Sequence, residues 1–282
     1  MLGGSRFPEV ESLMRRKEIR VCIIRVGGTN CDAETKRAFG DLGAKAFIYH
    51  LNEVSKRKIL LDYQILVFPG GFSYGDYVRA GAILAKSVMA RIGSEIKAFV
   101  DEGRPILGIC NGFQILVEAG LLPGINGISD YPEAALATNI PVGYRCRWVY
   151  LKLESNGKCA FTWIIPGNRV LRIPVAHAEG RFILPSDKEL DKLLDNKQII
   201  LRYCDENGIY ANGRFPENPN GSLYDIAGIC NPEGTVFGLM PHPERAYYGW
   251  QLPDWTRIGK PPKYGDGKFI FESVVEYVAK KF

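Results

Sequence analysis

"PILGICNGFQILVEAG", residues 105–120, runs an apolar stretch into a lone cysteine and leaves it as an amphipathic helix. Gly108 and Gly112 stand two residues before and two after Cys110. This is the G-x-nucleophile-x-G form of a nucleophile elbow, where a strand turns so sharply into a helix that the flanking positions must lack side chains. Such a turn would hold the thiol out at the carboxyl edge of a sheet. The helix would aim its free amides and positive dipole end at the sulfur, favouring the thiolate. The backbone N–H of Asn111 would face the same space as an oxyanion donor. A buried cysteine acting as a small hydrophobe accounts for most single cysteines in apolar runs. Here it explains neither the paired glycines nor the helix that starts at once.

Outward from the elbow, the chain alternates strand and helix. "IRVCIIRV" (19–26), "AKAFIYH" (44–50), "QILVFPGG" (64–71) and "RPILGIC" (104–110) read as strands. Between them, "DAETKRAFGDLG" (32–43), capped by Asn30 or Asp32, and the long segment 77–103 read as helices. Near-continuous apolar strands alternating with helices predict an α/β fold with a largely parallel sheet flanked by helices. In that architecture sites gather at the carboxyl ends of strands. The second half is less regular. "RWVYLKLE", "RVLRIPVAH", "QIILRYC", "DIAGICN" and "TVFGLMPH" look like strands, and residues 266–282 close the chain as an amphipathic helix. The polar stretches 205–223 and 247–267 read as long surface loops.

Composition removes several function classes. With 282 residues, 46% of them hydrophobic, the chain can bury a full core. Its net charge of +5 is spread over short runs, so nucleic-acid binding is not expected. Seven cysteines without C-x-x-C spacing and only three histidines suggest neither a disulfide framework nor a metal site, and a reducing cytoplasm fits best. No stretch of about 18 apolar residues occurs, so no membrane is expected. Residues 1–18 precede the first strand-like run and read as an extension or tag remnant, leaving 19–282 as a single domain.

A thiol nucleophile needs a base and an oxyanion hole. "GLMPHPERA" offers His242 and Glu244, two apart; if that segment is extended, both project to one side, and the carboxylate can hold one ring nitrogen and leave the other for the thiol. "PVAHAEGRF" offers a second such pair, His177 and Glu179. Spacing alone separates the two only slightly, in favour of His242, and either histidine could simply be satisfied by backbone hydrogen bonds. His50 reads as structural. Gly70 and Gly71, at a strand end, let the backbone turn its amides outward and make the Gly71 N–H a second oxyanion donor. A purely structural tight turn is the alternative reading. No phosphate-loop or dinucleotide fingerprint follows any strand.

"PGGFSYGDY", "GICNGFQIL", "PVAHAEGRF", "DIAGICN" and "MPHPERA", in this order, resemble the class I glutamine amidotransferases, and closely the glutaminase subunits of phosphoribosylformylglycinamidine synthases in purine biosynthesis. The resemblance runs from about residue 19 to 246. It implies a flavodoxin-like, three-layer α/β/α architecture and the hydrolysis of L-glutamine to glutamate and ammonia, with Cys110 as nucleophile, His242 as base and Glu244 as its orienter. It further implies that Gln114 and Gly70 help bind the substrate and that His177 belongs to the pocket's surroundings, which settles the contest between the two pairs. It implies a large synthase subunit and a small accessory one as partners, with ATP and Mg2+ on the synthase and no cofactor or metal on this chain. Where the family has P-G-[ST]-N-C-D after the first strand, this chain has Gly27-Gly28-Thr29-Asn30-Cys31-Asp32. Cys31 lacks an elbow and reads as structural. Two rival readings are a partner-independent cysteine hydrolase with the same elbow and a silent module that only docks on a synthase. A glutaminase serving a different synthase is a third.

Overall fold

The computed structural model describes residues 16–282. The elements run β1 (Arg20–Arg25), α1 (Asp32–Asp41), β2 (Lys45–His50), α2 (Leu51–Arg57), β3 (Ile65–Phe68), α3 (Ala82–Asp101), β4 (Ile106–Ile109), α4 (Asn111–Glu118), β5 (Ala135–Thr138) and β6 (Arg145–Leu153). There follow β7 (Val170–His177), β8 (Glu179–Ile183), α5 (Asp187–Asp195), β9 (Ile199–Cys204), β10 (Ile226–Cys230), β11 (Val236–Leu239) and α6 (Lys268–Lys281).

Nine strands form one sheet in the order β2-β1-β3-β4-β11-β10-β9-β6-β7, and β5 pairs with β8 separately. From β2 to β11 every pairing is parallel, and from β11 outward every pairing is antiparallel. The parallel half is the expected one. β3 and β4 are buried at every position, because helices cover both faces. The order makes the two faces inevitable: the chain goes from β1 leftward to β2, then jumps right to β3, and right-handed crossovers put the two connections on opposite sides. Accordingly α1 packs on α6, with Phe39 edge-on to Phe271 at 5.1 Å, while α3 packs with α2 and α4 across the sheet.

The antiparallel wing extends the sheet beyond the parallel half. At its outer edge β7 alternates buried and half-buried residues, as a strand with one covered face does. Four elements escaped the sequence reading: α2, the acidic and basic helix α5, short β5, and β8, which continues from β7 after one residue. The loop 205–223 runs over the surface as expected as far as Glu217, with Ile209 and Phe215 exposed, and only its last part, residues 218–222, turns inward. Asn218 and Asn220 are buried, and the carboxylate of Asp225 accepts from the amides of Asn212 and Gly213 and from the Asn218 side chain. Arg202 stacks between the rings of Tyr210 and Tyr224, and its charge faces Glu154 and Asp225. Backbone polar groups taken out of water need such partners. Most of the expected extension, residues 1–15, lies outside the described residues; Arg16 pairs with Glu276 of α6.

Candidate active site

Cys110 joins β4 to α4 with φ 51° and ψ −106°, a conformation that costs a non-glycine residue about 1–3 kcal/mol and persists only where the surroundings dictate it. The flanking glycines show what dictates it. A Cβ on Gly112 would lie 1.8 Å from the carbonyl oxygen of Phe68, and one on Gly108 would lie 2.6 Å from both the Gly112 oxygen and Leu116. The helix start is thus pressed onto β3. Cys110 is buried, its amide donates to Leu239 O of β11 at 2.8 Å, and its sulfur lies 3.6 Å from Ala176 O of β7.

His242 comes from the end of β11, the strand beside β4. The segment is not a strand at this point: after Pro243 the chain winds into a 3-10 turn, Pro243–Ala246. The His242 amide is tied to Pro174 O of β7 at 2.8 Å, and the turn brings the Glu244 carboxylate back to His242 Nδ1 at 2.6 Å. Both side chains are buried. Nε2 has no hydrogen-bond partner, which leaves it free for a reacting group. Burial alone would push the imidazole pKa down; the charges of Glu244 and Cys110 outweigh it and hold His242 well above its ordinary value.

Gly70 and Gly71 follow β3. A Cβ on Gly70 would lie 2.7 Å from the His242 ring, so the glycine is what lets the imidazole sit there. Gly71 has φ 149° and bridges to Thr29, while Asn30 and Cys31 donate their amides to the Gly70 oxygen at 3.3 and 3.2 Å. The turn after β1 therefore braces the turn after β3. On the other side, Asn111 is the first residue of α4, where amides lack helical partners. Its side chain accepts from Ser73 N and donates to Asp76 and to Gln114 Oε1. Gln114 in turn donates to Glu179 O, so both ends of its amide are engaged by the protein. The loop 72–81 above them is strained, with positive φ at Tyr74, Asp76 and Val78. Burial and the charge of Glu179 push Asp76 up to about 6.

His177, at the end of β7, stands next to Ala176 and is buried with its ring against Gly180. Its Nδ1 meets Asn139 Oδ1 at 3.2 Å, not Glu179, and burial together with the charge of His242 pushes it down to about 3. Glu179 accepts from Ala80 N instead. Two residues escaped the sequence reading of the site. Cys31 is buried with its sulfur 3.8 Å from His242 Nδ1, and Arg245 donates to that sulfur at 3.2 Å. A signal for Cys31 existed: β1 and β3 flank the point where the strand order reverses, and crevices open at such points. Cys31, His242 and Glu244 lie close enough together to be metal ligands. The donor set argues otherwise, since the guanidinium stands on the sulfur and Nδ1 is committed to the carboxylate.

Residues 18–278 match the family described as CobB/CobQ-like glutamine amidotransferase domain. The phosphoribosylformylglycinamidine synthase subunit PurQ of Archaeoglobus fulgidus is 49% identical over 280 residues, covering 95% of this chain and 100% of that protein. The subunit PurQ of Methanothrix thermoacetophila is 41% identical over 273 residues, covering 93% and 99%. Among solved structures, that of PurLQS from Thermotoga maritima contains a chain that is 34% identical, with TM-score 0.70, over 92% of this chain and 99% of that one. The chain belongs to the CobB/CobQ-like glutamine amidotransferases and, within them, to the family of PurQ subunits of phosphoribosylformylglycinamidine synthase.

Proposed function

We propose that Cys110, His242 and Glu244 act as a nucleophile, base and orienter that hydrolyse L-glutamine. The chain is the glutaminase subunit of a phosphoribosylformylglycinamidine synthase. One observation carries the residue assignment: a cysteine held in a strained elbow lies near enough to a buried imidazole for its charge to raise that ring's pKa, and the ring has Nδ1 fixed on a carboxylate and Nε2 unpartnered. The Cys110 thiolate attacks the side-chain amide carbon of glutamine. The amides of Gly71 and Asn111 hold the oxyanion, and the His242 imidazolium gives its proton to the departing ammonia. A water then loses a proton to His242 and cleaves the γ-glutamyl thioester, releasing glutamate and the free thiol. Glu244 keeps the imidazole in one orientation and stabilises its charged form. Gln114 and Gly70 shape the pocket that receives the substrate, the one by its amide on Asn111, the other by the room it leaves for the imidazole.

Ammonia passes to a large synthase subunit, helped by a small accessory subunit, where formylglycinamide ribonucleotide becomes formylglycinamidine ribonucleotide with ATP and Mg2+ on that partner. Residues 19–282 act as a single domain, a reading supported by the continuous core from Ile19 to Val278. No described helix is long and apolar enough to cross a membrane. The seven free thiols suit a reducing cytoplasm.

Cys110→Ala, assembled with its synthase partner, should lose glutamine-dependent synthesis by roughly 10³-fold or more. Ammonia-dependent synthesis should be unchanged, because free ammonia bypasses the thioester. Retention of the glutamine-dependent rate would remove Cys110 from the mechanism, and loss of both activities would make it a structural residue.

A further inference from the structure

The Arg245 guanidinium stands between two acceptors. Its Nη2 donates to the Cys31 sulfur at 3.2 Å, while its Nε stops 4.0 Å from Glu244 Oε1. That Nε and the second carboxylate oxygen, Glu244 Oε2, are both buried and both without a hydrogen-bond partner. A guanidinium beside a carboxylate ordinarily closes into a two-pronged pair, which is the stronger arrangement. Here it is held open. The sulfur that holds it is itself fixed: Cys31 caps α1, its amide is on the Gly70 oxygen, its carbonyl accepts from Thr35, and its thiol donates to Asn30 Oδ1 at 3.0 Å.

We propose that Cys31 is a positioning residue, whose sulfur keeps the Arg245 guanidinium off Glu244 so that the carboxylate remains committed to His242 Nδ1. The inference rests on the triad reading above and names a further residue for the same site. Without the sulfur, Arg245 closes on Glu244, shares its charge and weakens its support of the imidazolium. Every charged or titratable group facing His242 enters this balance: Glu244 and Arg245 from its own turn, Cys110 from the elbow, Cys31 from the turn after β1, His177 from β7 and Tyr144 ahead of β6. Of these, only Arg245 has both a reason to move toward Glu244 and a partner holding it back.

The test is a double-mutant cycle in the assembled synthase, read with an imidazole titration by NMR on the full chain, where three histidines make assignment simple. Cys31→Ala should lower the glutamine-dependent kcat/KM about 10-fold, as small misplacements of catalytic groups do, with ammonia-dependent synthesis retained. The His242 titration should move to lower pH. Cys31→Ser, which can still accept from the guanidinium, should recover most of both. In an Arg245→Gln background the same Cys31→Ala change should cost less than about twofold, since the two residues then no longer couple. An equal loss in both backgrounds, or an unmoved His242 titration, would overturn the proposal and leave the sulfur as a space filler. Should Cys31→Ala not assemble, Cys31→Ser and Cys31→Val carry the same contrast, and equal activity of those two would overturn it. Failure of the triad reading is distinguishable: His242→Ala would then keep its glutamine-dependent activity whatever the Cys31 variants do.

Discussion

The two His-x-Glu pairs share a spacing and a buried histidine, but not their partners. His242 and Glu244 meet at 2.6 Å; the His177 ring makes its hydrogen bond to Asn139 rather than to Glu179. Their surroundings push the rings apart: His242 is held well above the ordinary histidine value by Glu244 and Cys110 in spite of burial, and His177 is pushed down to about 3, chiefly by burial. The cause is backbone. His177 ends one strand and Glu179 begins another that pairs in a different sheet, whereas Pro243 ends extended structure after His242 and the 3-10 turn folds Glu244 back. A two-residue spacing brings side chains together here only where the strand has stopped, which inverts the premise that an extended segment would align them.

The contrast should break first in kinetics. In the assembled synthase, His242→Ala should lower glutamine-dependent kcat/KM by roughly 10²- to 10⁴-fold, the usual loss on removing a general base, and His177→Ala by clearly less. Ammonia-dependent synthesis, measured alongside, should survive both. Equal losses, or the reverse order, would mean that the geometric difference between the pairs has no chemical counterpart.

A smaller effect sharpens the same contrast in stability. His177 is depressed in the folded chain from 6.5 to about 3, so the unfolded chain binds one more proton between those values. Stability from this group is therefore complete above about 6.5 and is lost as the pH falls toward 3, at up to about 1.4 kcal/mol per pH unit. His177→Asn should remove that slope, so that the difference in unfolding free energy between variant and parent changes with pH across this window. Denaturant titrations every half unit would read it. A constant difference would show that His177 is not buried neutral.

Much of the fold was legible because its causes are local. The elbow could be read from Gly108, Cys110 and Gly112, since a sharp strand-to-helix turn leaves no room for Cβ atoms, and the positions where those atoms would clash bear this out. The parallel strands announced themselves by unbroken apolar runs. What was not legible depends on long-range pairing. The antiparallel wing is two consecutive pairs, β6-β7 and β9-β10, joined by β6 against β9, and nothing in the apolar pattern of these strands says which edges meet; the inward turn of residues 218–222 depends on Asp225 and Asn218 finding backbone amides. The site shows the same division. Cys31 and Arg245 are 214 positions apart, and they meet because the turns after β1 and β11 reach one crevice across β3 and β4. Gly70 was legible as a turn, but the imidazole it makes room for was not.

The central claim is that Cys110, at the elbow and beside a basic imidazole, is the nucleophile, while the other six cysteines, Cys31 among them, are not. Limited labelling of the folded chain and of the assembled synthase with a glutamine-like electrophile, followed by peptide mapping, tests it most directly. Cys110 should react first at neutral pH, as a thiol at a helix start beside an imidazolium does, and excess glutamine should protect it. Label on Cys31 or another cysteine in both preparations, with Cys110 inert and glutamine without effect, would contradict the account.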